Sequence, residues 1–224
     1  MIGSPSAARR HAIVAGVALL YAALTDNNAP LVLTTVFALG ASIWRARGQW
    51  TPQGTFGLAN VITSVRLVLT VLVGVLPVEH TIPTAGIAIG LFFTLDGVDG
   101  WAAKRYGTGS EFGAAYDTEV DALMVSVATL AAVRVGLLGP WILIVAALRY
   151  AFVVFASVRV GRPEPPRRSG RWAFSLLMCG LSGALLLPNA LTVLTLALGC
   201  ASVIASFGRS FWWSLTEARR AGNR

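Results

Sequence analysis

IPTAGIAIGLFFTLDGVDGWAAKRYGTGSEFGAAYDTEVDALMVSVATLAAVR, residues 82–134, reads as two apolar runs joined by a short polar connection. The runs, 82–103 and 113–133, each approach the roughly 20 residues that an α-helix needs to cross the hydrocarbon core of a bilayer. Asp96 and Asp99 lie near the end of the first run, and Asp117 and Asp121 near the start of the second, so acidic charge gathers where the two meet.

Working outward, further apolar runs occupy 11–25, 30–44, 59–77, 140–159, 172–187 and 190–208. The whole predicts an all-α, polytopic transmembrane bundle of about eight spans, in which the first two, short, form an N-terminal hairpin. Asn27, Asn28 and Pro30 mark the turn between them, and Gly139-Pro140 and Pro188-Asn189 mark later turns. Composition agrees. Of 224 residues 55% are hydrophobic and 12% charged, and the mean hydropathy is +0.69. An average soluble domain carries about 25% charged residues. A soluble fold and a second folded domain are both excluded.

The net charge of +8 would suggest nucleic acid in a soluble protein, but here the basic residues mark loops. With the N-terminus placed in the cytoplasm, 15 of the 18 Lys and Arg residues fall on that side. Only Arg134 falls outside, while Arg66 and Arg149 lie within spans. The positive-inside rule therefore predicts cytoplasmic termini and no nucleic-acid partner. Arg9 and Arg10 are read as flanking an uncleaved first anchor. Cys179, Cys200, His11 and His80 form no metal-ligand or disulfide spacing. The stretch 45–58 is read either as an interfacial segment or as a plain loop, and 161–171 as a basic, Pro-rich cytoplasmic loop.

A charge inside a span costs several kcal/mol unless it is paired, hydrated or metal-bound, so the four aspartates point to function. Asp96 and Asp99, with Gly100 and Ala103, share one helix face; Gly113, Asp117 and Asp121 share another. Four crowded carboxylates, with no His or Cys among them, call for hard cations such as Mg2+ or Mn2+, two of which suit displacement at phosphorus. Glu119, two residues from Asp117, lies about 200° round the helix and is expected to find a basic partner or water elsewhere.

Residues 96–121, DGVDGWAAKRYGTGSEFGAAYDTEVD, resemble the signature of the CDP-alcohol phosphatidyltransferase family: D-x-x-D-G-x-x-A-R, eight residues, then G-x-x-x-D-x-x-x-D. Seven of its eight fixed positions match; Lys104 stands where the family has Arg. An ammonium cannot grip two phosphate oxygens as a guanidinium does, so this departure is expected to weaken nucleotide orientation. Residues 59–66, ANVITSVR, are similar to the family's Asn-x-x-Thr-x-x-Arg. The resemblance implies a six-span core over 59–208, with 1–58 as an added hairpin and juxtamembrane segment and 209–224 as a basic cytoplasmic tail. It also implies that Asp96, Asp99, Asp117 and Asp121 ligate the metals and that Asp121 takes the proton from the acceptor alcohol. Asn60, Thr63, Arg66, Gly100, Ala103, Lys104 and Gly113 then correspond to the pocket for the CDP moiety.

The expected reaction transfers the phosphatidyl group of CDP-diacylglycerol to a water-soluble alcohol, releasing CMP, with lipid tails entering from the surrounding bilayer. Arg149, Arg167, Arg168 and Arg171 are candidate contacts for a phosphorylated acceptor, glycerol 3-phosphate first and inositol phosphate second. Arg149 has an alternative reading as the structural partner of an acid. The resemblance implies a homodimer, and Gly86 and Gly90 would let helices pack closely within or between subunits. Two other functions compete: an ion or proton transporter, which needs neither the eight-residue spacer nor the Asn-Thr-Arg stripe, and a catalytically silent family member.

Overall fold

The computed structural model describes residues 5–77, 82–159 and 168–222. Among the described residues there are eight α-helices and no strand: α1 Pro5–Thr25, α2 Ala29–Arg45, α3 Leu58–Val75, α4 Ile82–Tyr106, α5 Glu111–Arg134, α6 Leu143–Arg159, α7 Arg168–Leu186 and α8 Ala190–Gly222. Within the bilayer every backbone N–H and C=O must be satisfied inside its own segment, which helices achieve. The protein is an all-α membrane bundle. Leu58–Val75, Ile82–Ala103, Pro140–Val158 and Ala190–Thr216 are long and apolar enough to cross a membrane by themselves; Ala29–Arg45 and Gly170–Leu186 are apolar but shorter.

α5 is the central helix, and its burial explains its composition. Every residue from 122 to 132 is buried, against α3, α6, α2 and α7. This enclosed second half needs no lipid-facing stripe, whereas the first half, which carries Asp117, Glu119 and Asp121, is only partly buried. The outer surface is apolar, with Leu24, Phe37, Val68, Leu191 and Leu194 exposed as a bilayer requires.

The eight runs read from the sequence correspond to the eight helices, with different ends. α8 continues beyond 208, so that the segment expected to be a tail is helical to Gly222. Its extension is held by aromatic packing on α6: Phe211 lies 5.4 Å from Phe152 and 5.1 Å from Phe155, ring centroid to centroid. The expected end at 208 follows from Arg209, whose charge interrupts the apolar run without ending the helix.

α7 and α8 form the most extensive helix pair, and two glycines set their separation. A Cβ on Gly180 would lie 2.5 Å from Leu196 Cα, and one on Gly199 would lie 2.6 Å from Leu177 Cα. Backbone cannot yield at these contacts as a side-chain end could. Gly180→Ala and Gly199→Ala should each destabilise the protein by about 1–3 kcal/mol. Gly40→Ala, with nothing within 4 Å of the new methyl, should be neutral or slightly stabilising. Thermal unfolding in detergent separates the two outcomes. Gly86 and Gly90 serve α4 in the same way: added Cβ atoms would meet Leu186 Cγ at 2.7 Å and Ser182 Oγ at 2.9 Å. Their close packing is therefore against α7 of the same chain.

The turn between α1 and α2 is built as its residues suggest. Asn27 Oδ1 accepts from Ala29 N at 2.9 Å, and Asn28 Nδ2 donates to the Gly74 carbonyl at 2.9 Å. Arg134 donates to Asn28 Oδ1 at 2.9 Å and pairs with Asp26 at 3.2 Å, tying the hairpin to the end of α5.

Candidate active site

The connection between α4 and α5 decides where the aspartates meet. Gly107, at φ +62°, takes the left-handed conformation after α4, and the Thr108 N–H reaches the Ala103 carbonyl at 3.1 Å. This is a glycine-terminated helix end. Ser110 then caps α5, its Oγ accepting from Gly113 N at 2.9 Å, and the same hydroxyl donates to the Trp50 carbonyl at 2.6 Å. With Gln53 Nε2 donating to the Gly107 carbonyl at 3.3 Å, the 46–57 connection is a clasp on the α4–α5 turn. The aromatic series Trp50, Phe56, Tyr116 and Phe112 packs that clasp onto α5.

Four carboxylates from two helices are thereby brought to one point. Arg66, on α3, is fully buried and its guanidinium contacts all four aspartates. Nη1 donates to Asp99 Oδ2 at 2.6 Å and also bonds Asp117. Nη2 lies 2.9 Å from Asp96 Oδ1 and donates to Asp121. The Phe92 ring packs against the guanidinium, with its centroid 4.3 Å from Cζ, a cation–π contact strengthened by burial. Arg66 Nε is buried without a hydrogen-bond partner.

The neighbours on α3 hold the other side. Thr63 Oγ1 lies 3.4 Å from Asp99 Oδ2. Asn60 Nδ2 donates to the Phe56 carbonyl at 2.6 Å, and Asn60 Oδ1 stands 2.9 Å from where a Cβ on Gly113 would be. Gly113 thus permits the approach of α5 to α3. Gly100 is exposed and has open space beside it, and Ala103 is half-buried on the same stripe. Lys104 lies within α4, and its side chain is outside the described residues.

Asp96, Asp99 and Asp117 each offer an oxygen within 4.8 Å of the others. One guanidinium against four carboxylates leaves the cluster acidic, and the donor set is entirely oxygen. Such a set fits a hard divalent cation; Asp121 adjoins it through Arg66.

A cavity of about 430 Å³ is lined by Asp96, Asp117 and Asp121, and also by Arg149, Arg171, Ser175, Ser206 and Ser210. The carboxylate cluster and two of the four candidate acceptor arginines therefore share one space. Arg168 begins α7 with its side chain outside the described residues, and Arg167 lies outside them altogether. Arg149 also pairs with Glu119, Nη2 to Oε1, at 3.0 Å, so it is the structural partner of an acid while it lines the cavity. Glu119 leaves the aspartate face as its position on the helix requires.

Several residues here escaped the sequence reading. Phe92 precedes Asp96 by four and shares its face, yet an aromatic in an apolar run carries no signal by itself. Ser206 and Ser210, four apart on α8, are a small polar stripe that helical spacing reveals once the cavity is known.

The model of the CDP-alcohol phosphatidyltransferase family matches residues 56–205, from just before α3 into α8. No curated protein matches the chain.

Proposed function

Since the chain belongs to the CDP-alcohol phosphatidyltransferase family, we propose that it transfers the phosphatidyl group of CDP-diacylglycerol to glycerol 3-phosphate, or else to inositol phosphate. The observation that carries this reading is the shared cavity: three aspartates of the cluster and the cations Arg149 and Arg171 line the same space. A metal-bound diphosphate and a phosphorylated acceptor both find complementary charge there. In this reading residues 59–208 are the catalytic core, and the site faces the cytoplasm, where cytidine nucleotides reside.

Asp96, Asp99, Asp117 and Asp121 would hold two divalent ions, Mg2+ or Mn2+, which when bound supply charge stabilisation to the diphosphate oxygens. Asn60, Thr63, Arg66, Gly100, Ala103, Lys104 and Gly113 are the residues we assign to the CDP moiety by their match to the family signature, and none of them lines the 430 Å³ cavity. Arg66 has a second task, since it neutralises part of the carboxylate charge and fixes the four side chains relative to one another. Asp121 removes the proton from the acceptor hydroxyl as that oxygen attacks phosphorus. The new phosphorus–oxygen bond forms as the bond to CMP breaks, and CMP leaves with the bonding electrons. The proposed assembly is a homodimer.

The test is CMP release by purified protein given CDP-diacylglycerol and, separately, glycerol 3-phosphate, inositol phosphate and serine. Turnover should be highest with a phosphorylated acceptor and should stop on chelation of divalent ions. Faster turnover with serine would overturn the acceptor reading. Cation flux through proteoliposomes without CMP release would favour a transporter.

A further inference from the structure

On the side of α5 turned away from the aspartates, Glu119 has a basic side chain beside each of its oxygens. Arg149 Nη2 donates to Oε1 at 3.0 Å, and His11 Nε2 lies 3.4 Å from Oε2, within ion-pair distance but outside hydrogen-bond geometry. All three side chains are largely enclosed, at 16% exposure for Glu119, 22% for Arg149 and 13% for His11. Arg149 Nε is buried and has no hydrogen-bond partner, although the residue lines the cavity shared with Asp117 and Asp121.

His11 belongs to α1, outside the segment 56–205 that matches the family. Its reach depends on a face of small residues. Ala12, Ala15, Ala18 and Ala22 are buried on α1, α1 packs chiefly on α6, and a Cβ on Gly16 would come within 3.7 Å of Tyr150 Cβ. Small side chains at this spacing bring helices close in a bilayer. The close approach occurs beside Tyr150, the residue next to Arg149.

We propose that His11 is a positioning residue for the acceptor: through Glu119 it fixes Arg149, so that the N-terminal hairpin completes the end of the cavity that receives a phosphate monoester. A carboxylate held at one oxygen only can rotate about its terminal bond and carry its arginine with it. With the imidazole packed against its second oxygen, the carboxylate has less room to turn and presents Arg149 to the cavity in one orientation, which lowers the ordering cost of anion binding. The inference rests on the proposed function for the identity of the acceptor, and on the geometry alone for the link from His11 to Arg149.

Purified full-length protein in detergent provides the test, read first as equilibrium binding of glycerol 3-phosphate, and of inorganic phosphate, without donor. His11→Ala and Glu119→Gln should each weaken binding of both probes about five- to tenfold. His11→Gln, which restores a polar side chain beside Glu119 Oε2, should recover most of the loss. In CMP release the same variants should raise KM for glycerol 3-phosphate while leaving kcat and the KM for CDP-diacylglycerol unchanged. Wild-type affinity in His11→Ala would overturn the proposal, as would a failure of the wild type to bind either probe. Equal losses in His11→Ala and His11→Gln, accompanied by a lowered melting midpoint, would overturn it in favour of a purely structural role. His11-dependent binding in a protein that releases no CMP would sustain this inference and refute the phosphatidyl transfer.

Discussion

Asp121→Asn is expected to retain a cooperative thermal transition and to bind CDP-diacylglycerol, yet to lose CMP release by about 10²- to 10⁴-fold, the usual contribution of a positioned base. Asparagine keeps the volume of the side chain and an oxygen toward Arg66, so the buried contact between α3 and α5 survives in shape. What disappears is the basic oxygen on a group that lines the cavity. The loss should appear in kcat at saturating acceptor, because the deleted interaction is made to the departing proton. Glu119→Gln is the internal contrast: it lies on the same helix, two residues away, and should leave kcat intact. Comparable kcat losses in both variants would show that the carboxylates of α5 act only on folding.

The largest effect on stability should come from Arg66→Met. The guanidinium is fully buried and contacts four carboxylates and the face of Phe92. Its removal leaves four like charges facing one another, and breaking a buried ionic contact costs about 3–5 kcal/mol. In chelator the melting midpoint should therefore fall sharply. Added Mg2+ or Mn2+ should raise the midpoint of the variant more than that of the wild type, since a divalent cation replaces the missing positive charge. Arg66→Lys should fall between, because one ammonium on a flexible stem cannot span the contacts of a planar fork. A Met variant as stable as the wild type in chelator would refute the structural role given to Arg66.

The fold was largely legible in the chain because lipid imposes its solution. Runs of apolar residues near span length admit helices, and the turn residues Asn27, Asn28 and Pro30 fall where α1 gives way to α2. The end of α8 was not legible, since the contacts of Phe211 with α6 depend on tertiary packing. The neighbourhood of the four aspartates could be anticipated from spacing: i, i+3 on one helix, i, i+4 on the next, and a connection too short to separate them. The position of Arg66 could not. As one residue of a polar stripe it reads as a neighbour of the site, whereas its guanidinium lies among the carboxylates. Nothing local in α3 distinguishes the two cases, because the difference depends on how closely Gly113 lets α5 approach Asn60. The link from His11 to Glu119 joins residues more than a hundred positions apart and depends on the alanine face of α1. Its components are individually ordinary, and only the packing of α1 on α6 makes them a unit.

In the proposed reaction this cavity exchanges CMP for an acceptor alcohol on one phosphorus. The exchange is tested most directly by counting both products in a single reaction: CMP and the newly formed phosphodiester lipid, made by purified wild-type protein from CDP-diacylglycerol and glycerol 3-phosphate, with and without chelator. CMP and lipid should form in equal amounts in the presence of Mg2+ or Mn2+, and neither should form when divalent ions are removed. CMP released without a matching lipid product, or equal yields that persist in chelator, would contradict it.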